Sequence, residues 1–469
     1  MKKTLLVTAI VVLTQSLIPA QQGAAVAPAP AAAVDDIFSK WSSSTPGCAV
    51  GVAVAGKPVL LKAYGMADLE RDVRNTPDTI FEAGSVSKQF TAMAVQLLAS
   101  EGKLSIDDQV RKYIPELPDY GKPLTIRHML SHTSGLRDWG SIESIAGWPR
   151  TTREYTHAHV LEIVSKQKAL NFDPGTNWSY SNTGFNLAAI IVSRVSGMSL
   201  AEFSKQRIFG PLGMTHTSWR DDHTRIVKGR AIAYSQDNGD YHIEMPFENI
   251  YGNGGLLTTV GDLLIWNENF VSPKVGNAKL ISEMATGGTF NDGKPLEYYG
   301  LGLFIEIHRG VHNVYHSGST AGYRAHLNRF PDSRTSVAVL CNGSNGDASR
   351  AANRVSDLYL GDRLKPATPP TSAAPPPAAL NPPPSAAQLD ALAGSYWSDE
   401  AETMLVAAVD QGALVLRRRP DTVIRLTAIG PDKFRGSIGT VTFLRTASGT
   451  VDSLSVNQDR VWDLRFTKK

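Results

Sequence analysis

The stretch Gly84-Ser85-Val86-Ser87-Lys88, followed by Gln89-Phe90-Thr91-Ala92-Met93-Ala94-Val95-Gln96-Leu97-Leu98, decides how the rest of the chain is read. Apolar residues at Phe90, Ala94, Leu97 and Leu98 have helical spacing, and Gly102 stands where such a helix stops. Three residues apart on a helix, Ser85 and Lys88 are neighbours on one face. A lysine held beside a hydroxyl and partly desolvated is neutral enough to accept its proton. The free N–H groups of a helix N-terminus suit a developing oxyanion. The same spacing also fits a capping serine followed by a surface lysine, so the choice rests on what lies elsewhere.

Upstream, Ala49 to Val54 and Pro58 to Ala63 flank Ala55-Gly56-Lys57 in a hairpin pattern. Downstream, helices are expected over Ala158 to Gln167, Phe185 to Ser196 and Leu200 to Phe209. A late strand, Thr335 to Leu340, precedes a helix over Ala348 to Leu360. Strands at both ends with helices between them predict an α+β fold: an antiparallel sheet flanked by helices, with an all-α region inserted in its middle.

Two further stretches carry polar groups suited to the same chemistry. Tyr180, in Trp178-Ser179-Tyr180-Ser181-Asn182, is expected to act as a phenolate or a phenol relay, with Asn182 orienting substrate and Lys88. A buried tyrosine beside a helix-capping asparagine is the plainer alternative. His316-Ser317-Gly318-Ser319 enters an apolar stretch read as a strand. Beside the Ser85 helix such a strand would line a cleft and offer a backbone N–H; otherwise it is a turn with an incidental histidine.

In this order the three pieces resemble the Ser-x-x-Lys, Tyr-x-Asn and Lys-Thr-Gly motifs of class C β-lactamases and low-molecular-weight penicillin-binding DD-peptidases. The phrases Leu124-Thr125-Ile126-Arg127-His128-Met129-Leu130-Ser131-His132-Thr133-Ser134-Gly135-Leu136, Gly254-Gly255-Leu256 and Gly322-Tyr323 strengthen the resemblance, which covers roughly Asp36 to Leu360. It implies an acyl-enzyme path with Ser85, Lys88 and Tyr180 as catalytic residues. Asn182, His316, Ser317, Gly318 and Ser319 would bind substrate, and the N–H groups of Ser85 and Ser319 would form the oxyanion hole. It implies no metal or organic cofactor. His316-Ser317-Gly318 departs from Lys-Thr-Gly, which points to a DD-peptidase, D-aminopeptidase or esterase-like hydrolase of peptides, amides or esters. A true β-lactamase is the alternative, and a non-catalytic binder of cell-wall fragments is the alternative of another class. Neutral near pH 7, His316 is expected to weaken carboxylate binding, so that β-lactams act slowly and carboxylate substrates gain at mildly acid pH.

The remaining expectations concern organisation and location. Residues 1–27 read as a secretory leader with a small-residue exit, from Lys2-Lys3 and the apolar run Leu5 to Leu13. The chain is then exported, periplasmic or extracellular, with no transmembrane span in the mature form. Residues 34–361 form the hydrolase domain, 362–387 a Pro/Ala-rich linker, and 388–469 a small all-β barrel similar to lipocalin-like modules. Its strands are expected at Met404 to Ala408, Ala413 to Arg418, Val423 to Ala428, Thr440 to Leu444 and Val461 to Phe466, and the spacer predicts two domains that fold separately. A formal charge of +3 over 469 residues lacks the basic field that nucleic acid requires; the resemblance implies small-molecule or peptide substrates, with cell-wall-derived ligands among them. Cys48 and Cys341 begin the first and end the last predicted strand of the hydrolase domain. The family fold makes those strands antiparallel neighbours and so implies a disulfide; two buried thiols are the alternative.

Overall fold

The computed structural model describes residues 31–150, 152–367 and 378–469. The leader assigned to 1–27 and part of the linker lie outside the described residues.

One six-stranded antiparallel sheet organises the N-terminal domain. Its order is Phe304–His308, Val311–Thr320, Tyr323–Phe330, Thr335–Cys341, Cys48–Val54 and Lys57–Tyr64. The first strand of the chain therefore pairs with the last of the domain, and the register sets Cys48 opposite Cys341. Their sulfurs are bonded, as the family fold implied.

The central strands are apolar on both faces because both are covered. Val50, Val52, Val337 and Val339 point to one side, where they pack with Val34 and Phe38 of Ala31–Phe38 and with Ala352, Val355 and Tyr359 of Ala348–Leu360. The alternate residues Ala49, Ala53, Ala338 and Leu340 point to the other, against Phe90, Leu263 and Trp266. The period of two in a strand produces this split, and each fully buried valine is worth about 1.5–3 kcal/mol. Between Lys57–Tyr64 and Phe304–His308, consecutive strands of this sheet in chain order, the chain builds the inserted helical region, including Trp139–Ala146, His157–Ser165 and Asn182–Ser196. The mixed fold is as expected.

The C-terminal domain is a nine-stranded antiparallel sheet rolled into a nearly closed barrel. One expectation needs correction. Val423 to Ala428 is two strands, Thr422–Arg425 and Thr427–Gly430, which lie at opposite edges of the strand order. The chain turns at the buried Leu426, whose N–H donates to the Leu414 carbonyl at 2.9 Å. Such a switch places two edges side by side and rolls the sheet on itself.

The barrel is also more firmly attached than a spacer suggests. Buried Arg137 of the helical region pairs with buried Glu400 of the barrel at 2.7 Å. Arg137 also donates to the Trp462 and Asp463 carbonyls, at 3.2 and 3.1 Å. Glu400 accepts from the Lys168 N–H at 2.7 Å, and Thr403 Oγ1 donates to the Ala146 carbonyl at 3.1 Å. A Pro/Ala-rich stretch marks a boundary between domains but carries no information on whether the faces it joins are complementary.

Candidate active site

Ser85 sits in the 3₁₀ turn Gly84–Ser87, which runs into the helix Lys88–Ser100. The turn is fixed from below. Ser87 is buried, and its hydroxyl donates to the Gly84 carbonyl at 2.5 Å while accepting the Leu256 N–H at 3.0 Å. Lys88 is fully buried one turn from Ser85, and its Nζ donates to Ser85 Oγ at 3.1 Å, Asn182 Oδ1 at 2.9 Å and the Asn253 carbonyl at 2.7 Å. The three acceptors come from three separate segments.

Each acceptor is held in turn. Asn182 opens the helix Asn182–Ser196, and its N–H donates to Asp138 Oδ2 at 2.7 Å. The Asn253 segment is tied down by Asn186, whose Nδ2 donates to Asn253 Oδ1 at 2.7 Å, and by Thr91, which donates to the Gly252 carbonyl at 2.7 Å.

Burial, and then the charge of Arg460, hold the Lys88 ammonium well below its ordinary range; Asp138 acts against them and Arg150 with them. On losing a proton, Lys88 keeps its two donations to Asn182 and Asn253 and turns its lone pair to the serine hydroxyl 3.1 Å away, placed to take its proton. Tyr180 lies with its ring 4.8 Å from Lys88 Nζ. Burial pushes its phenol upward, with the Ser85 hydroxyl opposing. Of the two protonation states open for Tyr180, the site favours the phenol.

The strand Val311–Thr320 carries His316, Ser317, Gly318 and Ser319 along the other side of Ser85. Two glycines permit the approach. A Cβ on Gly318 would stand 2.0 Å from the Ala83 carbonyl oxygen and 3.1 Å from the Ser85 nitrogen; one on Gly84, at φ +50°, would stand 2.6 Å from the Ser319 nitrogen. The turn and strand backbones therefore meet face to face, with the N–H groups of Ser85 and Ser319 on the two sides of the contact.

His316 behaves differently from the expectation. It is 1% exposed, and burial, followed by the charge of Lys88, lowers it to about 3. Its Nδ1 lies 2.6 Å from the Ser317 carbonyl, which assigns the ring proton there, and Nε2 faces the Tyr299 hydroxyl at 3.4 Å. A neutral ring with its donor already used has no charge for a carboxylate at mildly acid pH. An acid-side preference acting through His316 does not follow from this geometry.

Ser85, Tyr180, Asn182 and the run His316 to Ser319 line a cleft of about 860 Å³, together with Arg150, Trp178, Phe304, Arg324 and Arg460. The three arginines, Asp138 and the Asn253 carbonyl had no signal in the local sequence, because their relevance depends on tertiary placement. His132 had a weak one in the Ser131-His132-Thr133 phrase. Its ring lies 4.2 Å from that of Tyr180, and its Nδ1 accepts the Ser181 N–H at 3.2 Å. Among the described residues no group of His, Cys, Asp or Glu is arranged to hold a metal, and no single helix is long and apolar enough to cross a membrane.

The chain is similar to the D-aminopeptidase of Brucella ovis, 29% identical over 327 residues, which cover 69% of this chain and 61% of that one. It is similar to penicillin-binding protein 4* of Bacillus subtilis, 30% identical over 301 residues, covering 60% and 64%. The match thus spans somewhat under two thirds of these relatives' own lengths. Among solved structures, the octameric penicillin-binding protein homologue from Pyrococcus abyssi aligns with a TM-score of 0.62 at 25% identity, over 93% of this chain and 99% of that one. The family model described as Beta-lactamase matches residues 24–361. That range is well over half of the 469 residues, and the chain belongs to the beta-lactamase family.

Proposed function

We propose that this protein is an exported serine hydrolase that cleaves peptide, amide or ester bonds, with D-configured acyl donors preferred. The observation that carries the reading is the buried, weakly basic Lys88 within 3.1 Å of Ser85 Oγ. Neutral Lys88 takes the Ser85 proton as Oγ bonds to the acyl carbon. The developing oxyanion is met by the N–H groups of Ser85 and Ser319. Tyr180, as a phenol, relays the proton to the leaving group as its bond to the acyl carbon breaks. Water, deprotonated along the same route, then releases the acyl group and restores the Ser85 hydroxyl. Asn182 holds Lys88 in place, while Ser317 and Gly318 shape the strand along which substrate lies.

The preference for D-configured donors is supported by the Brucella relative's name. Export is supported by the leader-like residues 1–27 and by the Cys48–Cys341 bond, which persists in oxidising compartments. Cell-wall fragments are then an accessible source of substrate. The neutral His316 sets the protein apart from an efficient β-lactamase, so β-lactams acylate Ser85 but turn over slowly.

The test compares kcat/KM for a D-alanyl amide, its L counterpart, a p-nitrophenyl ester and a chromogenic cephalosporin on one preparation. The amide is expected to show D over L selectivity, and the ester or D-amide to exceed the cephalosporin. A clear win for the cephalosporin would restore the β-lactamase reading.

A further inference from the structure

We propose that Arg460, brought to the cleft by the C-terminal barrel, is the cation that receives a substrate carboxylate on the leaving-group side. The inference rests on the reading of Ser85 as nucleophile and deepens it.

The other charged or basic groups in and beneath the cleft are already engaged. Lys88, buried beneath the cleft, is depressed toward its neutral form, whose two N–H groups go to Asn182 Oδ1 and the Asn253 carbonyl and whose lone pair faces Ser85 Oγ. His316 is neutral, with its Nδ1–H donated to the Ser317 carbonyl. Arg150 is paired with the Glu248 carboxylate through two of its nitrogens. Arg324 donates to the carbonyls of Ala321 and Tyr323, at 2.7 and 2.8 Å. Asp347, the one carboxylate of the lining, caps the helix Ala348–Leu360 through the Arg350 N–H.

Arg460 is in the opposite condition. Its guanidinium lies 4.7 Å from the centre of the Tyr180 ring, and among the described residues it has no hydrogen-bond or ion-pair partner. A guanidinium stacked on an aromatic face keeps its in-plane N–H groups free, in the fork that matches a carboxylate. The ring beneath it is the proposed relay to the leaving group, which sets the carboxylate on that side of the scissile bond.

The backbone around Arg460 is rigidly held. It forms, with Asp459, the tip of the hairpin between Val451–Gln458 and Val461–Lys468. The Arg460 carbonyl accepts the Asp138 N–H at 3.2 Å and Asn171 Nδ2 at 3.1 Å. The Trp462 N–H returns a bond to Asn171 Oδ1 at 2.8 Å, and Ser179 Oγ donates to the Asp459 carbonyl at 3.3 Å. The tip is bolted to residues adjoining Tyr180 and Asn182 while the side chain remains available. Backbone held by many bonds beneath an unpaired charge is the arrangement of a preorganised binding group.

The test uses the full chain and two esters with one acyl group, a phenyl ester and its 3-carboxyphenyl counterpart. The readout is the ratio of kcat/KM for the carboxylate ester to that for the neutral ester. Any change in Lys88 basicity is common to both substrates and cancels. Arg460→Gln is expected to lower the ratio by at least tenfold, with Arg460→Lys intermediate. Covalent labelling by a fluorophosphonate and the thermal midpoint are recorded for each variant. A labelled, folded Arg460→Gln protein whose ratio stays within twofold of the parent overturns the assignment of Arg460 alone. Failure of the parent protein to label overturns the Ser85 reading and this inference with it.

Discussion

Glu400→Gln keeps the shape of a buried side chain and removes its charge, leaving Arg137 without the carboxylate that faces it across the domain interface. Breaking one side of a buried ion pair costs about 3–5 kcal/mol when the remaining charge is stranded. Here Arg137 retains the Trp462 and Asp463 carbonyls and Gln167 Oε1, at 3.2, 3.1 and 3.4 Å, so the loss falls at or below the lower end, about 2–3 kcal/mol. Arg137→Met removes every donor and leaves the Glu400 carboxylate with the Lys168 N–H alone, and is expected to cost about 3–5 kcal/mol. The double variant should cost less than the sum, with a coupling of about 1–3 kcal/mol. Urea unfolding followed by tryptophan fluorescence reads the stabilities, and proteinase K cleavage of the Pro/Ala spacer reads undocking of the barrel. If all three variants unfold within about 0.5 kcal/mol of the parent, the interface does not hold the barrel as described.

Three predictions concern the catalytic machinery. Because neutral Lys88 is the active form and its pKa is depressed, kcat/KM for a neutral ester should rise with pH through that depressed value; Arg460→Gln removes one of the charges keeping it low and should move this acid limb to higher pH. Lys88→Met should slow acylation by roughly 10²–10⁴, read as the rate of fluorophosphonate labelling. Gly318→Ala places a methyl against the Ala83 carbonyl and the Ser85 nitrogen, and should lower kcat by roughly 10²–10³, the scale of a lost oxyanion donor, while Gly102→Ala, in open space but at φ +69°, should alter stability rather than kcat.

What was legible in the sequence was local in origin. Ser85 and Lys88 declare themselves because a helix converts a spacing of three into adjacency. Val50, Val52, Val337 and Val339 declare the central strands because both faces of the sheet are covered. The strand Val451–Gln458 is not legible in the sequence because Asp452, Ser453, Asn457 and Gln458 dilute the alternation. Val423 to Ala428 reads as one strand because a bend at an apolar Leu426 carries neither Gly nor Pro. Arg460 was invisible for a different reason: nothing near Gln458-Asp459-Arg460 refers to Tyr180, and only the docking of the barrel brings the two within 4.7 Å. The neutrality of His316 likewise follows from burial and from the Ser317 carbonyl, neither of which its neighbours in sequence announce.

The central claim is that Ser85 is the nucleophile, and the most direct measurement is covalent labelling by a fluorophosphonate, mapped by mass spectrometry of the digested protein. The account predicts one adduct per chain, on the peptide that contains Ser85, and none on a folded Ser85→Ala variant, which should also lose ester hydrolysis. An adduct on a different residue, or a Ser85→Ala protein that hydrolyses the ester at near the parent rate, would contradict it.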